Sequence, residues 1–267
     1  TFGAGYSSLE KAVFYAELSQ GNFDVLNRRS FFQGDGQKFR LRFQIGSQSN
    51  EIVLNFEEPW FLEKQLAVGF ELHRAESDNT SSYYDVITTG GSIYARKRLF
   101  ELFDGQLSYG YDNIKYSDIS SNSSYLSSLL ESHDVSKLSF SLIRDTRDKM
   151  INTTRGNRLE LMTELAGGFL GGSRDFYRVE ARGAQFVPLF KAQEQVLAIL
   201  LRAGIIEKYG ETSDDDLFYY NYTLGGPNTL RGFEYREVGP KDPYSSEPIG
   251  GKSYGFFSLE YSLDIVS

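Results

Sequence analysis

Residues 38–46 read KFRLRFQIG, and the stretch alternates without a fault. Phe39, Leu41, Phe43 and Ile45 fall on one face of an extended chain, Lys38, Arg40, Arg42 and Gln44 on the other. Successive side chains of a strand point to opposite faces, so period two predicts a strand with one apolar and one polar surface. A soluble sandwich shows the same alternation, but its strands average only about 5–6 residues. Three cations in a row on the polar face, echoed at Arg178-Glu180-Arg182, suit a water-filled bore better than a packed core.

Outward from that stretch the pattern repeats. EIVLNF sets Ile52, Leu54 and Phe56 against Glu51 and Asn55. QLAVGFELH sets Leu66, Val68, Phe70 and Leu72 against Gln65, Gly69, Glu71 and His73. NRLELMTEL opposes Leu159, Leu161 and Leu165 to Arg158, Glu160 and Glu164, and YGFFSLEYSLDI opposes Phe257, Leu259 and Tyr261 to Ser258, Glu260 and Ser262. The spacing predicts about twelve strands, near 2–6, 11–20, 38–46, 51–57, 65–75, 85–96, 105–114, 135–143, 157–166, 176–187, 195–207 and 253–266. Connections alternate in length: GSQSN, AESDNTSSYYD, the 114–134 stretch and 209–251 on one side, EEPWFLEK, LFELFDG and PLFKAQE on the other. Long loops at one end, short turns at the other and aromatics near strand ends, Trp60 included, predict an outer-membrane β-barrel.

Composition agrees. Eighteen Tyr and 21 Phe among 267 residues favour pleated surfaces. No apolar run reaches the ~18 residues of a membrane helix, whereas a barrel strand crosses in about 9–11. The chain has no cysteine, which removes disulfides, thiol catalysis and cysteine metal sites. A net charge of −8 argues against nucleic acid as a partner. His73 and His133 stand isolated, without a second ligand at metal spacing, so no metal or other cofactor is expected. No nucleophile, base and orienting acid stand together, and the chain reads as a non-enzyme. TFGAGYSS has no signal-peptide pattern, as expected of a mature or trimmed chain.

Two motifs are more specific than periodicity. RDTRDKMINTTRGNRLEL joins two strands by a charged turn, and LGGPNTLRGFEYREVGP precedes the final strand with its core SLEY. In this order, and with EPWFL at 58–62, they make the chain resemble the barrel of the BamA-type outer-membrane assembly family over essentially its whole length. The resemblance implies a sixteen-stranded barrel of which residues 1–267 are a partial, single-domain piece, lacking the C-terminal strands and the POTRA repeats that precede the barrel. It implies that the sixth extracellular loop folds into the lumen and that Arg231 of Arg231-Gly232-Phe233 pairs with Glu260 on the inner wall. Gly232 would turn the backbone tightly there, and Phe233 would pack against the wall. Arg144, Asp145, Arg147, Asp148 and Gly156 read as a self-neutralising structural turn.

The resemblance further implies insertion and folding of other β-barrel proteins into the bacterial outer membrane through a lateral gate. Thr1, Phe2, Gly3, Ala4, Gly5 and Tyr6 would form one lip, its two glycines weakening the edge. Expected partners are the outer-membrane lipid bilayer, unfolded β-barrel clients, accessory assembly proteins and periplasmic chaperones. Alternatives are a sister exporter of two-partner secretion or autotransporter assembly, separable by its number of POTRA repeats, and a passive porin, which would lack the plugging loop and conduct strongly.

Overall fold

Each alternating segment forms a strand, because an extended chain with one apolar and one polar face satisfies its backbone only by pairing on both sides. The computed structural model describes residues 1–7, 11–27, 29, 31–78, 81, 83–120, 124–190 and 195–263. The strands are β1 (Phe2–Ser7), β2 (Lys11–Phe23), β3 (Gln37–Gly46), β4 (Ser49–Glu58), β5 (Leu66–Ser77) and β6 (Asp85–Phe100). They continue as β7 (Phe103–Ser117), β8 (His133–Asp145), β9 (Gly156–Ala166), β10 (Phe176–Phe190), β11 (Gln195–Lys208) and β12 (Ser253–Ser262). They make one antiparallel sheet in the order β1 to β12. A single α-helix is described, α1 (Ser124–Leu129), and no described helix is long and apolar enough to cross a membrane. The expected β12 ran on to 266; residues 264–267 lie outside the described ones.

Register keeps like with like. Phe39 opposes Phe56, Leu41 opposes Leu54, and Phe43 opposes Ile52, while Lys38 faces Glu57 on the other surface. Phe56 and Leu54 continue the apolar row to Phe70 and Leu72 of β5. The apolar surface stays uncovered by protein: Leu18, Ile45, Ile93 and Leu259 are each more than half exposed. Apart from β1, every strand has ten residues or more. That length crosses a hydrocarbon layer at a tilt.

Strand alternation sends the β1–β2, β3–β4, β5–β6, β7–β8, β9–β10 and β11–β12 connections to one rim and the remaining five to the other. We call these the dome rim and the turn rim. One connection departs from the expected length. GSQSN, expected among the long loops, shrinks to Ser47 and Gln48, because Ser49 and Asn50 already pair with Ser77 and Glu76 of β5. The β2–β3 link at the turn rim is long, as the expected strands leave it, and is bonded to itself: the Asp24 carboxylate accepts the Leu26 and Asn27 N–H groups, and the Asn22 side chain accepts that of Gly36.

The buried apolar core gathers at the dome rim rather than at mid-sheet. Val86, Ile114, Val135, Ala166, Phe176 and Ile206, from the dome-rim ends of β6 to β11, pack against Leu217, Phe218 and Tyr220 of the β11–β12 connection, Leu129 at the end of α1 and Leu130 just after it.

Candidate functional site: a loop docked on the inner wall

The polar face of the sheet is wired by ion pairs that register sets up. Glu57, 5% exposed, accepts from Lys38 Nζ at 2.9 Å, Arg96 at 2.7 Å and the Tyr94 hydroxyl at 3.2 Å. Asp112, equally buried, receives Lys137 Nζ at 2.7 Å and lies 3.1 Å from His73 Nε2. His73 and Asp112 sit two strands apart, with Gly90 between them in register. A Cβ on Gly90 would stand 2.1 Å from Asp112 Oδ1, so only glycine there lets the imidazole reach across. His73 is thus part of the lumen wall, and no cluster of metal-ligating side chains occurs among the described residues.

Onto this wall folds the β11–β12 connection. Backbone bridges Tyr222↔Gly251, Leu224↔Val238 and Lys241↔Pro248 draw its two arms together. Its base is a packed joint. Leu217 is fully buried, the Tyr220 ring lies 4.5 Å from that of Phe176, and the Tyr220 hydroxyl is 3.1 Å from His133 Nε2. The Arg178 guanidinium sits 5.7 Å from the Tyr220 ring centre and 5.9 Å from those of Tyr222 and Phe176. Tyr222 in turn packs on Tyr254 of β12 at 4.6 Å. At the end of β11, Lys252 at 2.5 Å and Lys208 at 3.3 Å flank Asp214; the Lys252 hydrogen bond, foremost, holds its carboxyl below the usual carboxylate range.

The tip is built differently. Thr229 Oγ1 bonds both the N–H and the carbonyl of Gly225 at 2.9 Å, and Gly226 N–H donates to the Phe233 carbonyl at 3.0 Å. Arg202 Nη1 holds the Asn228 carbonyl at 3.3 Å. Arg231 Nη2 stands 3.2 Å from Glu260 Oε1, so the structure brings these two side chains together. Gly232 has φ +89°, a conformation that strains any L side chain. Phe233 departs from the expectation that it packs on the wall: it is 56% exposed. Among the described residues the tip lies beside β12, which pairs with β11.

The remaining expected residues fall in two places. In the β8–β9 connection Arg147 grips Asp145 through Nε at 2.9 Å and Nη2 at 2.7 Å, and Arg158 Nη1 adds a third bond at 3.1 Å. Arg144 donates to the Asn157 side chain. Asp148 accepts from Thr154 Oγ1 and from the Thr154 and Arg155 N–H groups, and these bonds, the hydroxyl's foremost, hold its carboxyl well below the usual range. Gly156 has φ +99°, and a Cβ there would meet the Thr146 carbonyl at 2.2 Å. Phe2 to Tyr6 lie in β1, the edge of the sheet, paired with β2 from Phe2↔Ala16 onward; Thr1 accepts the Glu17 N–H at 2.7 Å.

Sequence reasoning missed the joint of Arg178, His133, Tyr220 and Tyr222. One signal was legible, the run FYYNY at 218–222, an aromatic cluster inside an otherwise polar loop.

Comparison with known proteins adds ancestry to this geometry. The profile of the Omp85 superfamily domain matches residues 32–267. A SAM50-like protein of Schizosaccharomyces pombe is 30% identical over 94% of this chain and 54% of its own length. The outer membrane protein assembly factor BamA of Nitratidesulfovibrio vulgaris is 25% identical over 97% of this chain and 31% of its own length. The chain thus spans about half or less of these relatives. The crystal structure of BamA from Haemophilus ducreyi lacking POTRA domains 1–3 superposes with a TM-score of 0.82 at 22% identity, covering 97% of this chain and 52% of that one, and shows the same fold.

Proposed function

We propose, from the premise that this chain belongs to the Omp85 superfamily, that it is the membrane-embedded part of an assembly factor for outer-membrane β-barrel proteins. The observation that carries the reading is the β11–β12 connection folded onto the inner wall, with Arg231 beside Glu260.

The working part on this reading is the edge at β1. A strand edge presents a row of unpaired N–H and C=O groups, which template an incoming strand. In hydrocarbon each such group left unpaired costs several kcal/mol, so the edge exchanges partners rather than standing open. β1 suits exchange: Gly3 and Gly5 offer no side chain to pack along it. An unfolded client would pair with Thr1 to Tyr6 strand by strand, while the docked loop keeps the wall opposite in shape. Lipid bilayer and unfolded β-barrel clients are the partners; accessory proteins and chaperones would deliver the clients. The setting we propose is a bacterial outer membrane, although SAM50-like relatives occur in a yeast and a fly.

The test is site-specific photocrosslinking to a nascent barrel client. Adducts concentrated on residues 1–6 are expected. Adducts spread evenly over the strands would remove the gate from the account.

A further inference from the structure

The outward face is not uniformly ridged. Across β9, β10 and β11 it sinks into an apolar groove of about 490 Å³. Leu159 and Leu161 wall one side and Leu201 the other, while the floor is Ala181 and Gly183 of β10. Register explains the depression: Leu161 opposes Ala181, and Gly183 lies between Leu159 and Leu201, so small side chains are flanked by large ones.

At its turn-rim end the groove meets a cation. Arg144 lies directly across from Phe103 on one side and Leu159 on the other, hence on the same outward face. Neither neighbour is acidic. One step further toward the rim, Asn157 and Gln185 oppose each other on that face, and the Asn157 amide donates to Gln185 at 3.4 Å. Arg144 gives one nitrogen to Asn157 and, with five donors in its fork, retains others. A guanidinium with two amides near the turn rim, at the end of an apolar groove, matches the two-part chemistry of a phospholipid.

We infer that β8 to β11 form a seat for one glycerophospholipid of the turn-rim leaflet, its phosphate on Arg144 and an acyl chain in the groove over Gly183. Guanidinium and phosphate match in charge and planar geometry. An acyl chain laid over Ala181 and Gly183 fills space that the strand's own side chains leave empty, restoring dispersion contacts on the floor. The inference rests on the sheet crossing a membrane and not on the assembly activity.

The test uses the full chain in nanodiscs of phosphatidylethanolamine and phosphatidylglycerol, doped with a phospholipid carrying a diazirine on its acyl chain. After irradiation, labelled peptides are mapped. Adducts are expected to concentrate on 159–161, 181–183 and 201–203. Gly183→Leu should abolish them, and the fold tolerates it, since the nearest atom to a new Cβ is Leu159 Cδ2 at an ordinary 3.5 Å. Arg144→Gln should lower them about fivefold, the effect of one cation beside anionic headgroups. Equal labelling at Leu54, Leu72 and Ile93, or groove labelling left unchanged by either substitution, would overturn the seat. Absence of label from every outward strand position would overturn the membrane-spanning reading along with it.

Discussion

The base and the tip of the β11–β12 connection meet the same inner wall in opposite ways. At the base, Leu217 is fully buried and Tyr220 is 7% exposed, wedged among Phe176, His133 and Arg178. At the tip, the Arg231 side chain is 73% exposed and meets Glu260 directly in a contact open to solvent. Burial and dispersion therefore hold the base, while the tip adds an ion pair of the kind that water and salt screen. The motif that drew attention in the sequence is the weaker of the two attachments. The loop is placed by its aromatics, and the Arg-Gly-Phe tip is a contact that can open without undocking the rest.

Substitutions test that ranking. Tyr220→Ala should have the largest effect, about 3–5 kcal/mol for truncating a packed aromatic, with trypsin cutting within 209–252 and a lowered urea midpoint. Arg178→Gln should cost about 1–2 kcal/mol by removing a partly desolvated cation from three rings; a double-mutant cycle with Tyr220→Leu should show coupling that a remote pair lacks. Arg231→Ala should shift the same midpoint by less than about 1 kcal/mol. If the urea midpoint fell further for Arg231→Ala than for Tyr220→Ala, the comparison would be inverted.

The smallest effect is on pH dependence. Burial pushes the Glu247 carboxyl of this connection above its ordinary 4.5, with a Ser81 hydrogen bond and Arg236 opposing; it is 6% exposed. The folded loop then binds a proton more tightly than the unfolded chain, so its stability falls as pH rises from 4.5 through the raised value. Asp214 acts in the other direction and lower down: its depressed carboxyl withdraws support only as pH drops below 3.8. Proteolytic protection of 209–252 should therefore be best in mild acid, and Glu247→Gln should flatten the neutral limb of that profile. An unchanged profile in this variant would remove Glu247 from the loop's energetics.

How far these features could be read in advance follows from the range of the interactions. Strands were legible because period two is local: Lys38 to Gly46 needs no partner to reveal its faces. Glu260 was assigned to the inner face by the same alternation, and its partner came only through a family likeness. The base joint was not legible, because His133 and Tyr220 are 87 residues apart and no periodicity links them. The exposure of Phe233 was not legible for a related reason, since whether a ring is covered depends on residues distant in sequence. The length of GSQSN was misjudged because backbone pairing with β5 decides it, and composition records none of that.

The placement of the dome core carries a consequence for the order of events when the chain first folds. Its buried residues come from the ends of six consecutive strands, β6 to β11, and from a connection that follows all of them. No hairpin can form it alone, and joining His133 to Tyr220 before the intervening strands associate would close a long loop for little return. Pairing must therefore zip up first, with the aromatic keystone dropping in afterwards. Severing the chain at the Arg-Gly-Phe tip would spare the keystone; moving it to another point in the sequence would leave the arch without a way to set.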